Sequence, residues 1–145
     1  MSGKGYYEFT DDVTSDLSFV ARGATPEAVF AAAAEALLTA TVEAPEAIAA
    51  RERRSLALEE PDLELLLLRF LNELIYRRDA ESLLLRPEQL EIMRDGSARL
   101  TAELVGEAVD AKRHALSTDV KAATAYALRV RETSNGWEAN VTLDV

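Results

Sequence analysis

The stretch LELLLLRFLNELIY, residues 63–76, decides the fold class, because its apolar residues repeat with the period of a helix. They fall at i, i+3, i+4, i+7 and i+8, the pattern of a helix that buries one face in a core. Pro61 and Asp62 precede it and are typical of a helix start. Polar residues interrupt the run and exclude a membrane span. The predicted core-facing residues are Leu63, Leu66, Leu67, Phe70, Leu71, Leu74 and Ile75.

A second helix is predicted upstream, over residues 25–41, with Thr25 as its N-cap and Pro26 at its first position. Elsewhere apolar and polar residues alternate with period two, as they do in strands that bury one face. Turns containing Gly96 and Gly136 separate the later strands. The predicted strands cover residues 6–9, 17–23, 55–59, 88–93, 98–104, 124–132 and 137–145.

The order of these elements, β-β-α-β-α followed by four strands, predicts an α+β domain. We expect two layers, in which the two main helices pack on a mostly antiparallel or mixed β-sheet. At 145 residues, a single domain spanning residues 1–145 is expected, and it is long enough to bury a core.

The composition limits the classes of function. No cysteine is present, which excludes a disulfide framework, a thiolate metal site and a cysteine nucleophile. The first residues lack the apolar segment of a signal peptide, so we expect a cytoplasmic protein without membrane contact. A formal net charge of −10 argues against direct nucleic-acid binding and fits a basic protein partner or a cation. Acidity that only maintains solubility is the alternative.

Common catalytic and nucleotide-binding motifs do not occur in the sequence. His114 is the single histidine, and a structural histidine in a loop is the expected interpretation. There is no G-x-S-x-G motif, no P-loop and no dinucleotide-binding glycine motif. Zinc would require more histidines or any cysteine. A metal-dependent hydrolase that uses carboxylates remains an alternative, without an assignable substrate pocket.

Carboxylates are the remaining candidates for a functional site. The turn DDVTSD, residues 11–16, places Asp11, Asp12 and Asp16 close together in sequence. Such a turn can supply several oxygen ligands to a hard cation. Alternatively, its aspartates only hydrogen-bond to nearby backbone amides.

The sequence ends in LDV, where the side chain of Asp144 lies next to the α-carboxylate of Val145. A solvated carboxylate on a strand face is the alternative interpretation of Asp144. If this end meets the DDVTSD turn, the crowded carboxylates repel one another unless a cation or a lysine neutralises them. Lys121 is the lysine that could do so, and an ordinary surface lysine is its alternative.

In order and spacing, these motifs resemble the archease family over almost the whole chain. YEF followed by DVTSD is similar to the family's aromatic-Glu-aromatic start and its H/V-T-A-D motif. DLELLLLRFLNELIY resembles the family's second helix, D-L-x-x-L-L-x-x-[WF]-L-[ND]-E-L. GEAVDAKRHALSTDVKAATAYALRV is similar to the G-E…H…[DE]-V-K-A-[VIL]-T signature, and VTLDV to the C-terminal [VI]-x-[LF]-D-[VIL].

The resemblance implies a protein that is not itself an enzyme but a protein cofactor of the RtcB-type RNA ligase. That ligase joins tRNA exons after splicing and repairs RNA. Members of the family promote guanylylation of the ligase's active-site histidine by GTP and support multiple turnover. The alternative that the family carries is a chaperone of a tRNA cytosine methyltransferase. The implied partners are therefore the ligase and, second, this methyltransferase, without nucleic acid or membrane.

The resemblance also implies the residues of a site. A divalent metal ion would be bound by Asp16, Asp144 and Val145, with calcium expected first and magnesium or manganese as alternatives. Lys121 is implicated in ligase activation, and Asp119, at the acidic position before it, is a further candidate.

Two departures from the family pattern concern the first motif. Val13 stands where many members have histidine, and Ser15 stands where they have alanine. A valine-containing variant exists in the family, so we expect the site to be retained. Between EF and DVTSD this chain has one residue more than the family pattern, so Asp11 or Asp12 could take a role that the pattern does not assign. Both are kept as acidic neighbours of the predicted metal site.

Overall fold

Strands and helices follow one another in the predicted order in a computed structural model, which describes residues 4–10, 16–110 and 112–145. A short 3-10 turn at Pro45–Ala47 is an addition to the prediction. The strands are β1 (Tyr6–Thr10), β2 (Asp16–Gly23), β3 (Glu52–Glu60), β4 (Leu83–Arg94), β5 (Ala98–Ala108), β6 (Ala122–Thr133) and β7 (Gly136–Asp144), and the helices are α1 (Pro26–Thr41) and α2 (Leu63–Glu81).

The strands are divided between two sheets. One has the order β1-β2-β7-β6 and the other the order β3-β5-β4. All strand pairs of the described residues are antiparallel. The predicted α+β class, with two helices packed on antiparallel strands, is confirmed. The structure adds the division into two sheets and removes the option of mixed pairing.

Each helix contacts strands of both sheets and begins at a side-chain cap. The hydroxyl of Thr25 accepts the N–H of Ala28 at 3.1 Å, which confirms the predicted cap of α1. The carboxylate of Asp62 accepts the N–H of Leu65 at 2.9 Å at the start of α2. Among the described residues, neither helix is long and apolar enough to cross a membrane.

The core lies where the helices meet the inner faces of the sheets. All seven α2 residues predicted to face the core are buried. Phe70 of α2 stacks on Phe30 of α1, with ring centroids 5.9 Å apart. Burial of one such leucine or phenylalanine contributes about 1.5–3 kcal/mol. The alanines of α1 are nearly all buried, and their small side chains allow the helix to approach its neighbours closely.

Strand β4 begins at Leu83, so the prediction of a strand over residues 88–93 is too short at its start. Leu83 and Leu85 lie in the main core, while Leu84 packs in a smaller cluster on the other side. Three consecutive buried leucines hide the period-two signal, because both faces of the strand are covered here. A register shift after Pro87 accommodates the missing proline N–H.

Strand β6 contains a wide irregularity. Thr124 pairs with β7, and the register resumes only at Arg129. Ala127 within this bulge has a φ of 53°, a left-handed conformation that is unfavourable for residues other than glycine. The neighbouring Tyr126 side chain is 68% exposed.

The free edge of β6 is covered by side chains of α2. Asn72 donates from Nδ2 to the carbonyl of Ala123 at 3.0 Å and accepts the Ala123 N–H at 2.9 Å. Glu64 accepts the N–H of Val130 at 3.1 Å. These side chains satisfy main-chain groups of an edge strand that point away from β7.

Candidate functional site

Asp16 and Asp144 lie directly opposite each other where β2 and β7 pair at one end of the four-stranded sheet. Ala122 of β6 occupies the same row on the other side of Asp144. Residues directly opposite in an antiparallel pair share one face and have Cβ atoms about 4.5–5.5 Å apart. The structure therefore brings together two of the carboxylates that the sequence predicts as metal ligands.

These two carboxylates are on the face of the sheet that points away from the helices. Leu143, which precedes Asp144 in β7 and faces the core, is fully buried, whereas Asp144 is exposed and Asp16 is half-buried. Within the described part of the chain, neither side chain has an ion-pair or hydrogen-bond partner. Like charges directly opposite each other on a sheet are destabilising. A cation between the two carboxylates would relieve this repulsion.

A row of hydroxyl side chains crosses the sheet next to the two carboxylates. Thr10, Ser18, Thr142 and Thr124 pair in register across β1, β2, β7 and β6. The hydroxyls of Ser18 and Thr142 are buried and lie 3.1 Å apart, so one donates to the other. The hydroxyl of Thr124 donates to the carbonyl of Thr142 at 3.1 Å. The carboxylate pair is thus bordered by polar side chains that are already hydrogen-bonded.

The segment before β6 brings Asp119 and Lys121, the candidate residues for ligase activation, to the same end of the sheet. The N–H of Lys121 donates to the main-chain carbonyl of Asp144 at 2.7 Å, and the Lys121 side chain is exposed. Val120 is fully buried, while the side chain of Asp119 is 84% exposed. Asp119 and Lys121 therefore both face solvent beside the strand end that carries Asp144, and their role toward a partner stays a prediction.

A buried carboxylate, Glu107 at the end of β5, holds the start of the β5–β6 connection. Its Oε2 accepts the Ala49 N–H at 2.8 Å and lies 3.0 Å from Nε2 of His114. Its Oε1 accepts Nη1 of Arg113 at 2.5 Å and lies 3.3 Å from Nε of Arg51. These donors, the Ala49 amide first and Arg113 next, lower the pKa of Glu107 to about 2, against the opposing effect of desolvation.

The hydrogen bonds of His114 indicate the tautomer of its neutral ring. Its Nδ1 accepts the main-chain N–H of Asp110 at 2.9 Å, so the ring proton is on Nε2, which donates to Glu107. His114 lies in a loop and contacts structural partners, as expected from the sequence. Glu107 was not predicted as a structural residue, although it stands in the Gly-Glu pair seven residues before this histidine.

Gly106, which precedes Glu107, is required by the close approach of two strands. A Cβ at this position would overlap the main-chain carbonyl oxygen of Leu84 in β4. The G-E…H part of the sequence signature is therefore explained by packing and by one buried hydrogen-bonded carboxylate. It positions the β5–β6 connection.

The donors at the Asp16 end of the sheet suit a hard divalent cation. Carboxylate oxygens are preferred by calcium, magnesium and manganese over softer metals, and the two facing carboxylates fit such an ion. Across the described ranges, no group of three or more acidic, histidine or cysteine side chains gathers to hold a metal. Asp11 and Asp12 lie outside the described residues. Val145 follows Asp144 directly, and its part as a ligand stays a prediction.

Known proteins resemble this chain over nearly its whole length. The model of the archease protein family (MTH1598/TM1083) matches residues 7–145. Protein archease of Methanosarcina barkeri is 34% identical over 148 residues, covering 100% of both chains. Protein archease of Thermococcus gammatolerans is 33% identical over 134 residues, covering 91% of this chain and 94% of its own.

The fold is also that of a solved structure. The solution structure of protein 1598 from Methanobacterium thermoautotrophicum superposes with a TM-score of 0.82 at 30% identity. The match covers 96% of this chain and 98% of that one. Because the family model, the full-length relatives and the fold agree, the chain belongs to the archease family.

Proposed function

We propose that this protein activates an RtcB-type RNA ligase. It promotes guanylylation of the ligase and multiple turnover in tRNA exon ligation and RNA repair, and it catalyses no reaction alone. Membership of the archease family supports the general role. The observation that carries the proposal is the facing pair of Asp16 and Asp144, with the main chain of Lys121 hydrogen-bonded to Asp144.

Asp16, Asp144 and Val145 would hold a divalent ion, with calcium, magnesium and manganese as the candidates. When bound, the ion supplies positive charge that screens a triphosphate and its leaving group during nucleotidyl transfer. The chain's own contribution is to fix two carboxylates on paired strands, where their spacing is set by the sheet and not by a loop. Asp11 or Asp12 would add a ligand from the preceding turn.

Lys121 and Asp119 would contact the ligase beside the metal site. The ammonium of Lys121 is an exposed point charge on a flexible stem, suited to a carboxylate or phosphate near the ligase's nucleotide pocket. The net charge of −10 favours a basic protein surface as partner over direct contact with RNA. With such a partner, this protein would act in the cytoplasm.

The test is ligase guanylylation and RNA joining under multiple turnover, with and without this protein. Asp16→Asn and Asp144→Asn keep side-chain shape but remove the charge, and both are expected to abolish most of the stimulation. Titration calorimetry with calcium, magnesium and manganese should show weaker binding by the same variants. Glu91→Gln serves as a control, because this exposed carboxylate on β4 is far in sequence from the site and has no ion-pair partner among the described residues.

The two outcomes are distinct. If both Asn variants stimulate the ligase as well as the parent protein, the carboxylate pair has no part in activation. If the parent protein itself gives no stimulation, the proposed function is wrong.

A chaperone role toward a tRNA cytosine methyltransferase is the second candidate. Exposed apolar side chains near the β5–β6 connection, Leu116 and Tyr126, are the observation that favours it, because a chaperone needs apolar contact surface. Suppression of methyltransferase aggregation, lost in Leu116→Ser and Tyr126→Ser and accompanied by no ligase stimulation, would establish this role in place of ligase activation.

A further inference from the structure

One peptide unit, the one between Val120 and Lys121, is held from both sides. Its carbonyl oxygen accepts Nη2 of Arg78 at 2.6 Å, and its N–H donates to the carbonyl of Asp144 at 2.7 Å. Hydrogen bonds in such a chain polarise one another, so each strengthens the next. This peptide therefore connects the C-terminal end of α2 with the strand end that carries a candidate metal ligand.

The guanidinium of Arg78 is fixed in place by more than this one bond. Its Nε donates to the carboxylate of Asp79 at 3.0 Å, and its Nη2 lies 3.7 Å from Asp119. The side chain is only 15% exposed. A planar guanidinium can meet a carboxylate and a carbonyl at the same time, which the single ammonium of a lysine does less well.

The chain on either side of this peptide is anchored by other elements. Before it, the N–H groups of Ser117 and Thr118 donate to carbonyls at the end of α1, at 2.9 and 3.0 Å. After it, Ala123 is bound to the side-chain amide of Asn72. With these anchors in place, the orientation of the peptide itself is set by Arg78 on one side and β7 on the other.

We propose that Arg78 is a positioning residue for ligase activation. By fixing the peptide between Val120 and Lys121, it keeps Val120 buried and directs the flanking Asp119 and Lys121 side chains outward, beside Asp144. The effect on ligase activation rests on the proposed function, whereas the fixing of the Val120–Lys121 peptide by Arg78 does not. Arg78 is too buried to contact a partner extensively, so it acts through Lys121.

The neighbouring Arg77 provides a matched control. It lies on the same helix with a side chain that is 18% exposed, but it pairs with Glu73 and Glu81 of α2 itself. Arg77→Met and Arg78→Met therefore remove the same group with similar burial, and only the second releases the Val120 carbonyl. Arg78→Lys is the conservative variant that can restore one donor.

The first measurement is amide hydrogen exchange in the isolated protein. In Arg78→Met the Lys121 amide is expected to exchange about tenfold faster or more, the factor for losing one bond from a charged donor. Arg78→Lys should fall between this variant and the parent. Arg77→Met should leave the Lys121 amide unchanged. If the Lys121 amide exchanges equally fast in Arg78→Met and the parent, Arg78 does not fix the Val120–Lys121 peptide.

The second measurement is ligase stimulation as a function of activator concentration. Arg78→Met should lower the maximal stimulation about tenfold, following the same lost hydrogen bond, with little change in the half-maximal concentration. Arg78→Lys should recover part of the maximum, which loss of fold stability alone would not predict. A shift confined to the half-maximal concentration, or no effect at all, would refute positioning through Lys121.

The two measurements separate this inference from the proposed function. If the parent protein does not stimulate the ligase, the proposed function fails, and positioning for activation fails with it. If the parent stimulates and Arg78→Met behaves like Arg77→Met, only the role of Arg78 is wrong.

Discussion

The Nε2 atom of His114 lies 3.0 Å from Oε2 of Glu107, in a buried pair that ties the β5–β6 connection to the body of the fold. The same carboxylate also accepts from Ala49, on the segment between α1 and β3. A single acidic side chain thus joins three parts of the chain through hydrogen bonds to a charged acceptor, which are stronger than neutral ones.

The tautomer of His114 is a direct prediction from this geometry. Because Nδ1 accepts the Asp110 N–H, the neutral form of the ring should carry its proton on Nε2. Nitrogen NMR of the imidazole distinguishes the two tautomers. A neutral ring with its proton on Nδ1 would contradict the hydrogen-bond arrangement.

Glu107 should make stability depend on pH in the acid range. Its pKa is about 2 in the folded protein, below the ordinary value of 4.5, so the unfolded chain binds this proton more readily. The stabilisation is complete above about pH 4.5 and is lost as the pH falls from there toward 2. Chemical denaturation should show that the free energy of unfolding of the parent exceeds that of Glu107→Gln by an amount that shrinks below about pH 4.5. A difference that does not change with pH would contradict this role.

Gly106→Ala should destabilise the protein severely. The added methyl group meets the Leu84 carbonyl, so β4 and β5 must separate, at an expected cost above about 3 kcal/mol. Gly96→Ala is the control, because no atom lies near its Cβ and only its φ of 89° opposes the change. That left-handed conformation should cost about 1–2 kcal/mol. Urea denaturation measures both, and similar costs would contradict the close approach at Gly106.

Asn72→Leu should destabilise the protein without creating a cavity. The leucine has a similar size but leaves the N–H and C=O of Ala123 without partners, at a cost of about 2–3 kcal/mol. Gln89→Leu, an exposed amide on β4, should change stability by less than about 0.5 kcal/mol. Thermal or urea unfolding compares the two variants, and an equal effect would mean that Asn72 does not support β6.

Glycine substitutions at Ala127 and Ala125, two residues apart in β6, should change the stability of the protein in opposite directions. Ala127→Gly relieves a left-handed conformation and is expected to stabilise the protein by about 0.5 kcal/mol after the entropy of the unfolded chain is included. Ala125→Gly has no such strain to relieve and should destabilise by about 0.5–1 kcal/mol. Denaturation curves of equal slope give both values, and the same sign for both would contradict the backbone conformation at Ala127.

Local pattern was sufficient for most elements of this fold. The helical period of residues 63–76 identified the buried face of α2 in full, and Thr25 identified the start of α1. The pattern fails where a strand is covered on both sides, as at Leu83 and its two neighbours, because period-two alternation needs one solvent face. The division into two sheets depends on pairings between distant strands, which periodicity does not encode.

The residues alone made Asp16 and Asp144 candidate ligands, but only the family resemblance assigned both of them to one metal site. Asp16 and Asp144 are at opposite ends of the chain, and their pairing on β2 and β7 is a consequence of topology. Arg78 and Glu107 were missed for a related reason, since a charged residue on a helix or at a strand end usually faces solvent. Their partners, the Val120 carbonyl and the Ala49 amide, are main-chain groups that leave no signature in the sequence.

The side chains of α2 that hold β6 have a consequence for assembly. An exposed sheet edge is a template on which a strand of another chain can add. At β6, such a strand would find the amide and carbonyl of Ala123 already bound by Asn72, and the amide of Val130 by Glu64. Strand addition is therefore blocked at these two positions as long as α2 stays in place, so the helix that builds the core also shields part of this edge from a strand of another chain.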